Sequence, residues 1–409
     1  MKTFTLVLSV ERLNTALRLA SQALDKTLTG HTLFGVYQKI LVEPDTLGLK
    51  FTVVNLDYAA QIIIASYHYS AEGEMFPFSI EQLELLTLLP KLKGEVQITV
   101  EYNGDESKDK LTIVQHSPTK INYSIAISNP DNFPNIPAPE TKSASVISVL
   151  PDTFRVGFDC VNHVKRNTPI AKKAADLNPT EGVRLRVLNG KIDFTAAMNA
   201  LVIKWQEQLS NIATSHSIIF SSQTIAYILQ ATNALKGEEP WVLTIGESQF
   251  ALERLVDGMI VHISANSVPG TYPDVEKFWV DFTNCLRVNR KQLLASIERA
   301  SCFVRHPEGQ SKTENIVRFH VKEKDKIIIR IPDKFNESLP CDWSESRTAE
   351  DITFGFNCAY LKSVLLSSDS ETITWEFNTQ SKPISLHCER MSAILMPTLL
   401  KEAKEAASS

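Results

Sequence analysis

The chain has 409 residues, room for about three domains at roughly 150 residues each. With 42 Lys and Arg against 47 Asp and Glu, the formal charge is −5, which argues against an open-surface nucleic-acid binder that works by bulk electrostatics. A hydrophobic content of 43% and a charged content of 22% are those of globular domains and exclude disordered or collagen-like composition.

The amino-terminal MKTFTLVLSVERL reads as a first β-strand: Glu11 and Arg12 cut its apolar run short, and no small-residue cleavage site follows. An amphipathic helix begins at Val10 (VERLNTALRLASQAL). The strand-like run GLKFTVVN follows, then a second helix whose N-cap is read as Ser79 (SIEQLELLTLLPKL), then EVQITVEY and DKLTIVQ. The proline-rich stretch 129 to 140 closes this section, since proline lacks a backbone donor and breaks regular structure.

The same order then recurs. Helical patterns start at Pro151 and Ser221, with GVRLRVLNGKIDFTAA between them, whose Asn-Gly marks a hairpin, and WVLTIGE, FALERLV and MIVHISA after them. A second Pro-containing stretch lies at 268 to 274. Helical patterns at Asn289 and Asn357 follow, with strands NIVRFHVKEKDKIIIRI, TITWEFN and ISLHCE. The first helices of the three sections start 141 and 138 residues apart, and the second helices 142 and 136 apart. Such regularity indicates three tandem copies of one α+β unit, each with two helices and an antiparallel sheet, at 1–137, 138–278 and 279–409.

Catalytic and metal motifs are weak. No phosphate-cradling Gly-rich loop occurs, and no Gly-x-Ser-x-Gly turn. Cys160 with His163 is a lone pair, and His387-Cys388 fall on opposite faces of a strand. Neither supplies the four-ligand spacing of a structural zinc site. Asp342, Glu345, Glu350 and Asp351 form an acidic cluster that could hold a divalent metal for nuclease chemistry, but their polar setting suits a solvated loop better. The six cysteines are scattered without a disulfide framework, as in a reducing cytoplasm. No run approaches the length of a membrane span, so no membrane association is expected.

Positive charge is segregated. Residues 155 to 186 carry Arg155, Lys165, Arg166, Lys172, Lys173, Arg184 and Arg186 against Asp159, Asp176 and Glu181. Residues 287 to 305 carry Arg287, Arg290, Lys291, Arg299 and Arg305 against Glu298. Each window nets +4 and holds the first helix of a repeat or the loop beside it, so local potential is expected despite the acidic total.

Taken together, the threefold repeat, SNPDNFPNIP, GTYPDVEKF, NRKQLLASIERAS, FGFNCAYLKSVLLSSDSETITWEF and the final AILMPTLL resemble the beta sliding clamps of bacterial DNA polymerase III. The resemblance covers about residues 1 to 400. It implies a head-to-tail homodimer forming a closed ring of six similar domains around double-stranded DNA, with no enzymatic activity and no cofactor. Such a ring tethers the DNA polymerase and is opened by a clamp-loader ATPase complex; repair polymerases or ligase are further partners it admits. It also implies a partner-peptide groove at Met198, Leu201, Pro273, Phe278, Ile394, Met396, Pro397, Thr398 and Leu400. DNA-facing positions would be Lys26, His31, Lys165, Arg166, Lys172, Lys173 and Arg305, and the subunit boundary would hold Tyr123, Ile125, Cys302 and Phe303.

The chain departs from the family in places. Ala196-Ala197-Met198-Asn199-Ala200 replaces the usual Thr-Asp-Gly-His-Arg of the groove, Leu399 stands where Arg is usual, and Asn178-Pro179 replaces an aromatic pair expected at DNA. KEAKEAASS extends the chain beside the groove. These departures motivate a second reading, a clamp-fold protein that binds polymerase or loader peptides without encircling DNA.

Overall fold

The computed structural model describes residues 2 to 400 apart from a set of segments, the longest being 25–38, 140–144, 166–176, 210–214, 305–315 and 344–351, and it leaves out 401–409. Among the described residues the elements fall into three runs of one order. The first comprises β1 (Lys2–Ser9), α1 (Val10–Ala23), β2 (Ile40–Asp45), β3 (Gly48–Val54), β4 (Tyr58–Ala65), β5 (His68–Glu72), β6 (Phe78–Ile80), α2 (Leu83–Leu88), β7 (Glu95–Tyr102), β8 (Lys110–Gln115) and β9 (Ile121–Ala126). The second comprises β10 (Ser145–Val149), α3 (Pro151–Lys165), β11 (Val183–Leu188), β12 (Lys191–Met198), β13 (Leu201–Gln208), β14 (His216–Phe220), α4 (Ser222–Ala234), β15 (Trp241–Ile245), β16 (Gln249–Val256) and β17 (Met259–Asn266). The third comprises β18 (Asn284–Asn289), α5 (Arg290–Ser301), β19 (Ile316–Val321), β20 (Lys326–Ile331), β21 (Phe335–Trp343), β22 (Ile352–Asn357), α6 (Cys358–Leu366), β23 (Thr372–Phe377), β24 (Ile384–Cys388) and β25 (Met391–Leu395). The expected α+β class and its three tandem copies are what the structure has; β5 is the one strand peculiar to the first copy.

Local chemistry explains the helix starts. The Ser221 hydroxyl accepts from the Thr224 amide at 3.2 Å, the Asn289 side chain from Gln292 at 3.0 Å, and the Asn357 side chain from Ala359 at 2.9 Å, each satisfying a donor that the helix leaves open. Ser79 behaves differently. It lies in β6, exchanges both backbone hydrogen bonds with Ser128, and α2 starts only at Leu83. A strand pairing thus claimed the backbone groups that a cap would have used. At the foreseen hairpin, Asn189 and Gly190 both take positive φ, 51° and 72°, joining β11 to β12.

The strands form three sheets with antiparallel pairing throughout: β5-β1-β7-β8-β9, then β10-β15-β16-β17-β4-β3-β2-β6, then β14-β11-β12-β13-β25-β24-β23-β18-β21-β20-β19-β22. Two joints cross from one run of elements to the next. At one, β17 pairs with β4 from Met259↔Ile64 to Ala265↔Tyr58; at the other, β25 pairs with β13 from Leu395↔Leu201 to Met391↔Trp205. Each time the last strand of one run meets the third strand after the first helix of the preceding run.

By compactness the chain forms two units, Met1–Arg155 with Lys173–Asp176 and Ser221–Ser267, and Val156–Lys172 with Leu177–Phe220 and Val268–Ser409. The first buries the apolar stripe of α1, at Leu13, Ala16, Leu17 and Ala20, beneath β3, β4 and α4. The second carries an aromatic core in which Phe158 packs edge-on to Phe194 and Phe220, and Phe356 to Trp375.

Buried arginines finish one helix in each unit. Arg254, fully buried, donates to the carbonyls of Leu235, Gly237 and Glu239 at 2.7–3.0 Å just beyond α4. Arg290 donates to the carbonyls of Leu365 and Ser370 at the end of α6. In both cases a cation sits at the negative end of the helix dipole and occupies carbonyls at or just beyond the helix end.

Candidate functional site: a groove and two sheet edges

The second unit brings most of the groove candidates together. Its framework is the joint of β13 with β25 and the segment 268–280 that crosses the β11–β13 sheet. The registers Arg184↔Thr195, Arg186↔Asp193, Thr195↔Lys204 and Val202↔Ile394 place all these residues on one sheet face by strand alternation. Segment 268–280 is fixed to that face at several points. The Tyr272 hydroxyl donates to the Thr195 carbonyl at 3.3 Å, the Tyr272 ring lies 5.0 Å from the Arg184 guanidinium, and Lys204 Nζ lies 4.3 Å above the Trp279 ring. Burial pushes the Tyr272 phenol up, outweighing the opposing effect of Arg184.

Between those anchors Glu276 opens a one-turn 3₁₀ helix, Glu276–Phe278. Its carboxylate accepts from Arg186 at 2.8 Å and from Lys204 at 2.9 Å, and lies 3.5 Å from Arg184. Asp193 takes the remaining Arg186 bond at 2.8 Å. Burial pushes the Glu276 carboxyl up, but Lys204 and Arg186 together hold it below its ordinary range.

The carboxy-terminal segment is tied to the same unit. The Met396 amide donates to the Ala200 carbonyl at 2.8 Å, and the Thr398 amide to the Gly355 carbonyl at 2.7 Å. The segment is thereby strapped between the β12–β13 turn and β22. Gly355 permits the close approach: a Cβ there would lie 2.9 Å from the Leu400 side chain, from the Thr398 carbonyl oxygen and from the Ile316 side chain.

Pro273 and Met396 are exposed; Met198, Phe278, Pro397, Thr398 and Leu400 are half-buried. Leu201 and Ile394 are buried, at 1% and 2% exposure, and belong to the packed joint beneath. Glu276, Tyr272 and Gly355 escaped the sequence reading.

Sheet edges form the second candidate. Among the described residues, strand β9 pairs on one side only, with β8; on it Tyr123 is half-buried and Ile125 buried. Cys302 and Phe303 follow α5, both exposed, and the Phe303 ring lies 5.9 Å from that of Phe335, the first residue of β21. From Phe335 to Pro340, β21 is paired with β20, and β18 joins its other side only at Cys341–Trp343.

Of the DNA-facing candidates, Lys165 ends α3; Lys26, His31, Arg166, Lys172, Lys173 and Arg305 lie outside the described residues. The charge windows need correction. Arg155 is paired with Asp152, Arg184 and Arg186 with Asp193 and Glu276, and Arg299 with Glu337, while Arg290 is used up at the end of α6. The Arg155–Asp152 pair is local, three residues apart on α3, whereas Arg186 meets Glu276 from 90 residues away, beyond the reach of a local charge count.

Ordinary chemistry holds elsewhere. Burial pushes the Cys160 thiol up, and that of Cys358 up to about 12, so neither has the thiolate character of a nucleophile. Among the described residues no group of three or more His, Cys, Asp or Glu is placed to hold a metal ion; of the acidic cluster only Asp342 is described. No described helix is long and apolar enough to cross a membrane.

No family model and no curated protein sequence matches the chain. Solved structures do. A DNA polymerase III beta subunit from Thermotoga maritima aligns over 97% of this chain and 100% of its own at 17% identity and a TM-score of 0.75. The DNA polymerase III subunit beta from Pseudomonas aeruginosa aligns over 97% and 100% at 16% identity and 0.76. A DNA polymerase sliding clamp from Bacillus subtilis aligns over 98% and 99% at 16% identity and 0.76. The chain therefore has the sliding-clamp fold of bacterial DNA polymerase III beta subunits. Its sequence is a divergent version of that fold.

Proposed function

We propose that the protein is a DNA sliding clamp: a homodimeric ring that encircles duplex DNA and tethers a DNA polymerase, without enzymatic activity. The observation that carries this reading is the repeated joint. Last strands β17 and β25 each pair with the third strand after the first helix of the preceding repeat, β4 and β13. One last strand, β9, and one third strand, β21, are left over, at opposite ends of the repeat order. Pairing β9 of one protomer with Phe335–Pro340 of another uses the same rule twice and closes a head-to-tail dimer, leaving neither of these two strands free to propagate a fibre. Tyr123, Ile125, Cys302 and Phe303 then sit at the boundary.

The repeats at 1–137, 138–278 and 279–409 would each supply one third of a half-ring. Once DNA is threaded, topology replaces affinity, so a net charge of −5 is no obstacle and weak contacts from Lys26, His31, Lys165, Arg166, Lys172, Lys173 and Arg305 would allow sliding. The groove around Met198, Pro273, Phe278, Met396, Pro397, Thr398 and Leu400, floored by Leu201 and Ile394, would receive short apolar segments of the polymerase, of a clamp-loader ATPase complex and of repair enzymes, in the cytoplasm. Adaptable Met side chains suit several such partners.

The test is retention on nicked circular DNA after loading with a clamp-loader complex and ATP, followed by linearisation. The ring reading expects retention on circles and loss from free ends, with a solution mass twice the 45.7 kDa chain. Equal retention on both forms, or a monomer mass, would leave the second reading, a clamp-fold protein that binds partner peptides without encircling DNA.

A further inference from the structure

We infer that Glu276 is the positioning residue of the groove: one carboxylate, gripped from two strands, sets where Pro273 and Phe278 stand. This rests on the groove reading above but is carried by different observations. Segment 268–280 enters with Tyr272 and leaves with Trp279, both held on the β11–β13 face. Between them Val275 is buried, at 2% exposure, and the backbone makes short-range bonds of its own, from the Glu276 amide to the Asp274 carboxylate at 3.3 Å, from the Phe278 amide to the Val275 carbonyl at 3.1 Å and from the Trp279 amide to the Glu276 carbonyl at 3.0 Å. Those bonds shape the turn without attaching it to the sheet.

Polar attachment to the sheet comes from Glu276. Its two oxygens are divided between strands: Oε1 faces Arg186 and Arg184 of β11, and Oε2 faces Lys204 of β13. A carboxylate held from two directions cannot rotate without breaking one of the charge-assisted bonds. Lys204 is 9% exposed and Arg184 8%, so both cations are largely shielded from water, and Asp193, 4% exposed, is the other carboxylate on this face. Three cations therefore face two carboxylates. Neutralising Glu276 leaves Asp193 alone to balance them, and the buried Lys204 loses its ion-pair partner among the described residues while keeping the Trp279 face. Because Pro273 and Phe278 flank Glu276 at three and two residues, release of the carboxylate shifts both.

The experiment uses the full chain with 4-fluorophenylalanine at position 278, read by ¹⁹F NMR, and a fluorescein-labelled peptide Ala-Leu-Ser-Leu-Phe read by anisotropy. Glu276→Gln and Lys204→Met are each expected to broaden or move the 278 resonance and to weaken the peptide about tenfold. The double variant is expected to be no worse than either alone, because both remove one interaction. Glu276→Asp should recover part of the affinity. The far-UV circular dichroism spectrum and the solution mass should stay at the unsubstituted level, which separates positioning from loss of fold. A 278 resonance and peptide affinity unchanged in Glu276→Gln, or additive losses in the double variant, would overturn the inference. If the unsubstituted protein binds no peptide, the groove reading fails by itself, and the ¹⁹F signal still decides whether Glu276 holds the turn.

Discussion

The two joints between repeats obey one pairing rule but differ in what they carry. At β4–β17 the surroundings are sealed with short, mostly neutral contacts. Tyr58 stacks on Tyr227 with ring centroids 4.8 Å apart, the Asn55 side chain holds the Ala23 carbonyl and the Asp57 and Tyr58 amides, and Ser221 donates to the buried Asp57 carboxylate. At β13–β25 the sheet face carries three cations and two carboxylates, and the strap that follows leaves Met396 exposed. The difference teaches that the strand pairing joins, while what lies over it decides whether the joint is inert or offers a surface.

Five substitutions or conditions sharpen that contrast. Tyr227→Ala should do the most damage, about 3–5 kcal/mol as for other buried aromatics, read as a lower melting temperature. Tyr227→Phe should cost nothing or stabilise slightly, since the buried hydroxyl finds no hydrogen-bond partner among the described residues. A large loss in the Phe variant would show that the first joint depends on a polar contact after all. At the second joint, Gly355→Ala should cost about 1–3 kcal/mol through overpacking against Leu400 and the Thr398 carbonyl. It should also weaken groove peptides, whereas Tyr227→Phe should not touch them.

Ser221→Ala removes the α4 cap and the bond to Asp57 and should cost about 1 kcal/mol in chemical denaturation. The smallest effect concerns pH. Glu276 is held below its ordinary range, so its contribution is complete above the unfolded value near 4.5 and is lost as pH falls through the lower folded value. Fluorescence of Trp279, compared with a Trp279→Phe control, should therefore change between pH 4.5 and lower values. The Tyr58–Tyr227 contact should be indifferent over the same range.

How much of this was written locally can be judged from single residues. The apolar spacing in α1, the caps at Ser221 and Asn357 and the Asn189-Gly190 turn are local signals, and the structure has them. Ser79 has the right cap chemistry, but its backbone is claimed by Ser128, 49 residues away. In FALERLV the alternation is inverted from what polarity suggests: Arg254 is buried while Leu255 is 61% exposed. Only the open carbonyls after α4, distant in sequence, make the interior hospitable to the guanidinium. The groove residues of 268–280 and 394–400 came through resemblance in motif order, and Glu276 came through neither route. Its role exists only once β11 and β13 lie side by side.

The strap has a practical consequence for anyone handling the protein. Leu400 is seated against Gly355 and Thr398 is bonded to it, so whatever follows residue 400, residues 401–409 and anything fused after them, begins from a point held beside the proposed groove. A short flexible fusion tethered there samples the groove at an effective concentration on the order of millimolar. An affinity tag with apolar residues on that end would act as a built-in competitor. Titrations of weak peptides are better made with the tag at the other end of the chain.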